Sequence, residues 1–450
     1  MKKILFYLIA LLFFASCKTH NTSVVADNNH QNTTKDSNQK YDYYQPNRLK
    51  YIDEDYLPQI GYSHLSASSW VFAPPIIYLD QNNTLTLTFD EISDNKKDYY
   101  YSFILCDAMW QPCDLLQSEY IQGFFEDQIT SFKFSRNTLV NYVHYSLTFP
   151  NENMQPTKSG NYLLHVWYYN GNEKVTALTK RFYIAENKIN IQANIHYATS
   201  IEYRNYQHEI DFSIFKNNVE IIDPYKNLTV VLQQNGRYDN CIKNLKPSLI
   251  RGDELIYDFE NENIFDANNE FRRFDIQSLN YYTDRISKIE RRDQMIHVYL
   301  KTDFRRPYQQ YISTDDINGR FLIKNEDGKD IDTESEYVWV HFLLSYDYPL
   351  NEGSIFLQGA FTNWGFNEKY KLNYDYKLKG YSDSLLLKQG YYNYQYVYLK
   401  DTEASADATF IEGRHAEADN DYTIYVYYRE PGEYYDRLIG VKSYNSKNKK

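Results

Sequence analysis
From Leu85 onward the chain is written in short runs whose apolar residues recur at every second position. Leu85-Thr-Leu-Thr-Phe89 is the plainest of them, and Gly390-Tyr-Tyr-Asn-Tyr-Gln-Tyr-Val397 carries the same alternation on aromatic side chains. Period two is the side-chain period of a pleated strand, so these runs cannot lay a continuous apolar stripe along a helix. The same rhythm recurs at Tyr99 to Leu105, Tyr142 to Phe149, Tyr162 to Tyr168 and Lys180 to Ile184. It continues at Ile189 to Ile195, Glu209 to Ile214, Leu228 to Gln233, Leu255 to Phe259, Met295 to Leu300, Tyr337 to Leu343 and Tyr422 to Tyr428. Turn-forming stretches such as Asp80-Gln-Asn-Asn83 and Ser159-Gly160-Asn161 separate them, at the spacing of an antiparallel sandwich. The 48 tyrosines fit this reading, because an apolar ring with a wet hydroxyl suits half-buried strand faces. The expected fold class is therefore all-β, with several immunoglobulin-like antiparallel β-sandwich domains in series. One short helical turn is expected between Leu115 and Ile121.

Length permits about three domains. The strand rhythm divides into an N-terminal β-sandwich at 49–186, a middle β domain at 187–330 and a C-terminal immunoglobulin-like sandwich at 331–440, with a polar tail at 441–450. Residues 1–16 read as a signal peptide: Lys2 and Lys3 precede an apolar run from Ile4 to Phe14, too short to span a bilayer. That run ends in Phe14-Ala15-Ser16-Cys17, which resembles the lipobox of bacterial lipoproteins and implies lipidation of Cys17. Residues 17–48 are polar and without period, as a flexible tether would be. No acidic cluster follows Cys17, whose neighbours are Lys18, Thr19 and His20. This favours a periplasmic location on the inner leaflet of the outer membrane over export to the cell surface.

Formal charge is −12, which argues against nucleic acid as a partner, since phosphate binding needs a basic footprint. Neither GxSxG nor HExxH occurs, nor a Walker A loop, nor GxGxxG. Paired acids at Asp90-Glu91 and Asp315-Asp316, and Glu412 with His415, read as solvated turns, and Asp327 to Asp332 as a turn without EF-hand spacing. Dispersed histidines offer no metal site, and neither catalytic residues nor cofactors are expected. Cys106 and Cys113 bracket a loop that either a disulfide or a pair of buried thiols would suit; their spacing is not that of a zinc site.

Two resemblances sharpen the picture. Gly359-Ala-Phe-Thr-Asn-Trp364, Gly380-Tyr381, Leu385 to Leu387 and Gly390 to Val397 resemble the immunoglobulin-like glycogen-binding modules of starch enzymes and kinase subunits. In those modules the tryptophan matched by Trp364 stacks on sugar. The lysine expected at Gln395 and the second tryptophan are missing here, so the likeness supports the fold better than the ligand. Over about 70 to 440 the chain resembles the type IX secretion system plug protein family of Bacteroidota. The likeness is carried by Cys106-Asp107 with Trp110, Glu119 to Phe124, Ser159 to Leu164 and Gln234-Asn-Gly-Arg237. It continues through Asn269-Glu-Phe-Arg-Arg-Phe-Asp275, Gly390 to Val397, Tyr425 to Tyr428, Pro431-Gly432 and Tyr435 to Gly440. The resemblance implies a noncatalytic periplasmic protein that occludes the giant single-chain outer-membrane β-barrel translocon of that system between rounds of export. The block Phe271-Arg272-Arg273-Phe274 is the candidate partner anchor, since arginine and aromatics make large contacts at low ordering cost. The other reading of it is a strand with core phenylalanines and a structural Arg/Asp pair. Two further functions stay open at this level: a glycan-binding lipoprotein of the periplasm or cell surface, and an unrecognised glycosidase or esterase.

Overall fold
Alternation becomes burial in a direct way. Along Leu85–Glu91 the side chains of Leu85, Leu87 and Phe89 are fully buried, while Thr86 and Thr88 face outward. In the computed structural model, which describes residues 49–217 and 219–447, nearly every element is a strand of this kind. The signal peptide 1–16, Cys17 and the tether 17–48 lie outside the described residues. Among those described, no helix is long and apolar enough to cross a membrane. The helical turn expected near Leu115 is a single 3-10 turn at Gln117–Glu119.

The N-terminal sandwich packs two sheets. One orders Glu54–Asp55, Glu173–Ala185, Gly160–Asn170, Tyr99–Cys106 and Asp127–Gln128, with Ile76–Tyr78 parallel to Glu173–Ala185. The other orders Ile60–Ala67, Leu85–Glu91, Val143–Phe149 and Ser131–Phe134. Their shared core is aromatic: Phe89 stacks on Tyr145, and Phe103 meets Phe149 and Phe182.

The second sandwich is discontinuous. One sheet orders Asn190–Tyr197, Gln207–Phe215, Glu254–Tyr257 and Leu249–Arg251. The facing sheet orders Ile242–Lys243, Leu228–Gln234, Asp421–Tyr428 and Arg437–Asn445. The register Leu228↔Tyr428 to Gln234↔Tyr422 puts the last two strands of the chain into the middle domain, where Ile424, Val426 and Ile439 complete its core. The third sandwich therefore begins near Arg272 and is inserted into the second. Its nine strands run continuously from Arg272–Asp275 through Gly390–Lys400, Gly353–Gln358, Lys371–Asp375, Gly380–Lys388 and Tyr337–Ser345 to Met295–Leu300 and Ile286–Arg292, with Phe321–Ile323 on Gly390–Lys400. The sheet folds back on itself, so that Phe274 meets Phe342 at 5.6 Å across the core.

Boundaries at 330/331 and 440 thus differ from the sheets. Period two marks each strand but not its partner, and partners here lie far apart in the chain. The expected tail at 441–450 also differs, because Val441 to Asn445 pair with Asp421 to Tyr425. Backbone hydrogen bonds hold this segment, and Val441 and Tyr444 pack against the neighbouring cores. Residues 448–450 lie outside the described residues.

Candidate partner interface
The sandwiches meet through polar groups buried at their junctions. Asp90 ends a strand of the first sandwich and is fully buried. Its Oδ2 accepts from Lys388 Nζ at 2.6 Å and from Tyr337 OH at 2.8 Å, both on the third sandwich, and its Oδ1 lies 2.6 Å from His144 Nδ1. Lys388 also lies over the Tyr142 ring at 4.3 Å. Burial works against the Asp90 carboxylate, yet Lys388 and His144 bring its pKa below the ordinary value. A second lock joins Lys180, whose Nζ donates to Asn363 Oδ1 at 2.6 Å, and Asp55, which accepts from Asn363 Nδ2 at 3.1 Å.

The first and second sandwiches meet on an apolar seam. Tyr183 stacks on Tyr425 at 4.5 Å, and the Arg181 guanidinium lies 4.4 Å from both the Trp110 and Tyr238 rings. Tyr427 OH donates to Asn161 Oδ1 at 2.7 Å across the same seam. Arg320 pairs with Asp421 at 2.8 Å between the third and second sandwiches. All three pairwise junctions are thus specifically bonded.

The expected anchor lies inside this framework. Phe271 and Phe274 are buried, and Phe274 stacks on Tyr392 at 5.0 Å. Arg272 donates from Nε to both Glu412 carboxylate oxygens at 3.0 Å, from Nη1 to Asp303 at 2.7 Å and from Nη2 to the Phe304 carbonyl at 2.7 Å. Arg306 also binds Glu412 at 2.8 Å, and the Tyr394 and Tyr396 hydroxyls donate to Asp303 at 2.7 and 2.9 Å. The structure matches the other reading of this block, core phenylalanines with a structural Arg/Asp pair, and the Arg272 fork is already filled. Arg273 is half-buried and donates to the Asp315 carbonyl. Asp90, Glu91 and Glu412 likewise depart from the reading as solvated acids: all are buried, and Glu412 pairs with arginines instead of His415. Burial opposes its charge, while Arg272 and Arg306 lower its pKa. The partners of Asp90 and Glu412 come from distant segments of the chain, so no local signal in the sequence announces them. Asp315 is exposed as expected, whereas Asp316 accepts from the Phe271 and Asn318 amides.

Trp364 lines a cleft where the three sandwiches meet, with His64, Lys180, Gly236 and Arg320 among its walls. Asn363 and Trp364 both have left-handed backbone, and the indole meets Phe271 edge-on at 6.0 Å. A Cβ on Gly319, whose φ is +77°, would lie 2.2 Å from the Trp364 ring. The tryptophan is thus a half-buried wedge packed on a glycine. Cys106, Cys113 and Cys241 are free thiols, and burial pushes Cys113 and Cys241 up to about 12.

Several large apolar side chains are not covered by the junctions. In the first sandwich Leu116, Phe124, Phe125, Phe132, Phe134 and Leu139 are exposed, although large apolar residues are the most readily buried. Phe132 and Phe134 sit on one short strand with their rings 5.8 Å apart. Residues 63–186 match the family model for the type 9 secretion system plug protein 1st domain. The chain belongs to the type IX secretion system plug protein family. A crystal structure of a hypothetical protein from Parabacteroides merdae ATCC 43184 is 33% identical, with a TM-score of 0.85. That match covers 88% of this chain and all of the other. A structure titled BspA_C_WT, 7% identical over 85% of this chain and 98% of that one, has a TM-score of 0.16 and carries no argument. No curated protein matches the chain significantly. Plug family members are structural, non-enzymatic components associated with type IX secretion, and membership implies a location in the cell envelope.

Proposed function
We propose that this plug-family protein closes the periplasmic end of the type IX secretion outer-membrane β-barrel translocon between export events, held near it by a lipid on Cys17. The observation that carries the reading is the family match over the first sandwich, the same unit that exposes Phe124, Phe125, Phe132 and Phe134. A stopper must hold its shape against a large pore, and the buried Lys388–Asp90 pair, the stacked Tyr183 and Tyr425 rings and the Arg320–Asp421 pair, one at each junction, favour one fixed shape. Exposed aromatic side chains supply contact area that is released when the pore is needed. A lipid tether raises the effective concentration of the plug at its barrel without adding a contact.

The test is a deletion strain combined with recovery of native membrane complexes. The plug is expected to co-purify with barrels not engaged in export, and its deletion to make the outer membrane permeable to large antibiotics. Intact impermeability in the deletion strain, together with pull-downs that recover no barrel, overturns the proposal. The tether is tested separately: Cys17→Ala is expected to abolish palmitate labelling and release the protein from the membrane fraction.

A further inference from the structure
The outward face of one sheet of the second sandwich gathers an imidazole and two carboxylates. His196 on Asn190–Tyr197 stands directly across the ladder from Glu209 on Gln207–Phe215, and Asp211 follows two residues later on the same face. His196 Nε2 lies 2.7 Å from Asp211 Oδ2 and 3.8 Å from Glu209 Oε1, and one ligand atom from each residue falls within 4.8 Å of the others. These spacings bracket the separation of about 3.4 Å between donors that each bind one ion at about 2.1 Å with tetrahedral angles.

Each of the three residues is held by a hydrogen bond from behind. His196 Nδ1 lies 2.8 Å from the Tyr197 carbonyl, which only accepts, so Nδ1 carries a proton and Nε2 faces the carboxylates. Glu209 Oε2 accepts from the Thr199 amide at 2.7 Å, and its Oε1 from the Thr199 hydroxyl at 3.1 Å. Asp211 Oδ1 accepts from Asn263 Nδ2 at 3.0 Å, and fully buried Asn263 is itself fixed by donating to the Ile210 carbonyl at 2.7 Å. A backing hydrogen bond on each ligand is what orients imidazole and carboxylate toward a metal and raises their basicity. Glu209 is buried, while His196 and Asp211 are half-exposed, leaving an entry path and room for water as a further ligand.

We propose that His196 Nε2, Glu209 Oε1 and Asp211 Oδ2 bind one divalent transition cation of the zinc class, a site independent of the plug role. The ion takes the place of the proton shared between Nε2 and Oδ2, and that proton leaves to solvent. Because Thr199 is hydrogen-bonded to Glu209, the ion ties the segment that follows Tyr197 to the sheet. Three ligands on two strands escape a search for helical or CxxC spacing; only the register brings them together.

The experiment titrates untagged full-length mature protein with Zn²⁺ by calorimetry, and reads zinc-edge anomalous scattering from crystals grown with the ion. One saturable site and an anomalous peak bonded to His196 Nε2 are expected. His196→Ala and Asp211→Asn should each weaken that site at least 10-fold, while His165→Ala leaves it unchanged. If His196→Ala fails to fold, Asn263→Ala, which removes the backing bond on Asp211 along with that to the Ile210 carbonyl and leaves all three ligands in place, is the second variant and should also weaken binding. Absence of saturable binding, an anomalous peak elsewhere, or binding indifferent to folded His196→Ala or Asn263→Ala overturns the proposal.

Discussion

Lys388 and Asp90 form a buried ion pair at the junction of the first and third sandwiches, each almost wholly buried and 2.6 Å apart. Removing one partner strands the other charge, so Lys388→Ala is expected to cost about 3–5 kcal/mol in urea unfolding. The double replacement Asp90→Leu with Lys388→Met should recover much of that loss, because an apolar pair leaves no charge behind. Gly319→Ala places a methyl against the Trp364 ring at a positive φ and should lower stability by about 1–3 kcal/mol. His64 governs a pH dependence. Burial and the Lys180 ammonium bring its pKa down from 6.5 to about 4, so between those values the unfolded chain binds more protons than the folded one. Its contribution to stability is complete above about pH 6.5 and is lost as pH falls toward 4. Urea midpoints measured at pH 7 and pH 5 should therefore lie closer together in His64→Phe than in the wild type; an unchanged gap refutes this.

At the scale of elements, Gly390–Lys400 explains why alternation alone understates burial. Tyr392, Tyr394 and Tyr396 face the core of the third sandwich, as their period implies. Asn393 and Gln395 on the other face are buried too: Asn393 Oδ1 accepts from the Ile317 amide at 2.7 Å, and Gln395 Nε2 donates to Gln358 Oε1 at 2.9 Å. A strand covered on both faces at a junction needs polar side chains with fixed partners. The inserted topology makes a separate prediction. A fragment of residues 272–412 holds every strand of the third sandwich and should show a cooperative thermal transition by circular dichroism. A fragment of 331–440 lacks Arg272–Asp275, Ile286–Arg292, Met295–Leu300 and Phe321–Ile323, carries Asp421–Tyr428 without Leu228–Gln234, and cuts Arg437–Asn445 after Gly440. It should not fold. Truncation after Glu430 removes Arg437–Asn445 and core residue Ile439, and should expose the second sandwich to protease while the first resists.

For the whole molecule, the plug reading separates groups that hold the shape from groups that meet the partner. Arg272 belongs to the first kind, so Arg272→Ala should lower stability by about 3–5 kcal/mol by stranding Glu412 and Asp303. Any loss of co-purification with the barrel should then follow the loss of fold. Phe132 and Phe134 belong to the second kind. Replacing both by Ser should leave the thermal midpoint within a few degrees and reduce recovery of the barrel in pull-downs from native membranes. Unchanged recovery with the fold retained would move the contact surface elsewhere on the molecule.

What the sequence determined by itself is what local geometry controls. Side-chain alternation placed the strands at Leu85, Tyr99, Leu228 and Gly390, the turn chemistry separated them, and several ordered blocks were enough to recognise the family. Free energy that depends on distant partners left no such trace. The pairing of Leu228–Gln234 with Asp421–Tyr428 decides where the second sandwich ends, and the burial of Asp90 and Glu412 is tolerable only because Lys388, Arg272 and Arg306 arrive from distant segments of the chain. Arg272 shows the division most plainly. Its place between two phenylalanines is written in the chain, but whether its charge faces a partner or a buried carboxylate depends on what the tertiary fold brings within 3 Å of it, since a guanidinium leaves water only where its donors are met.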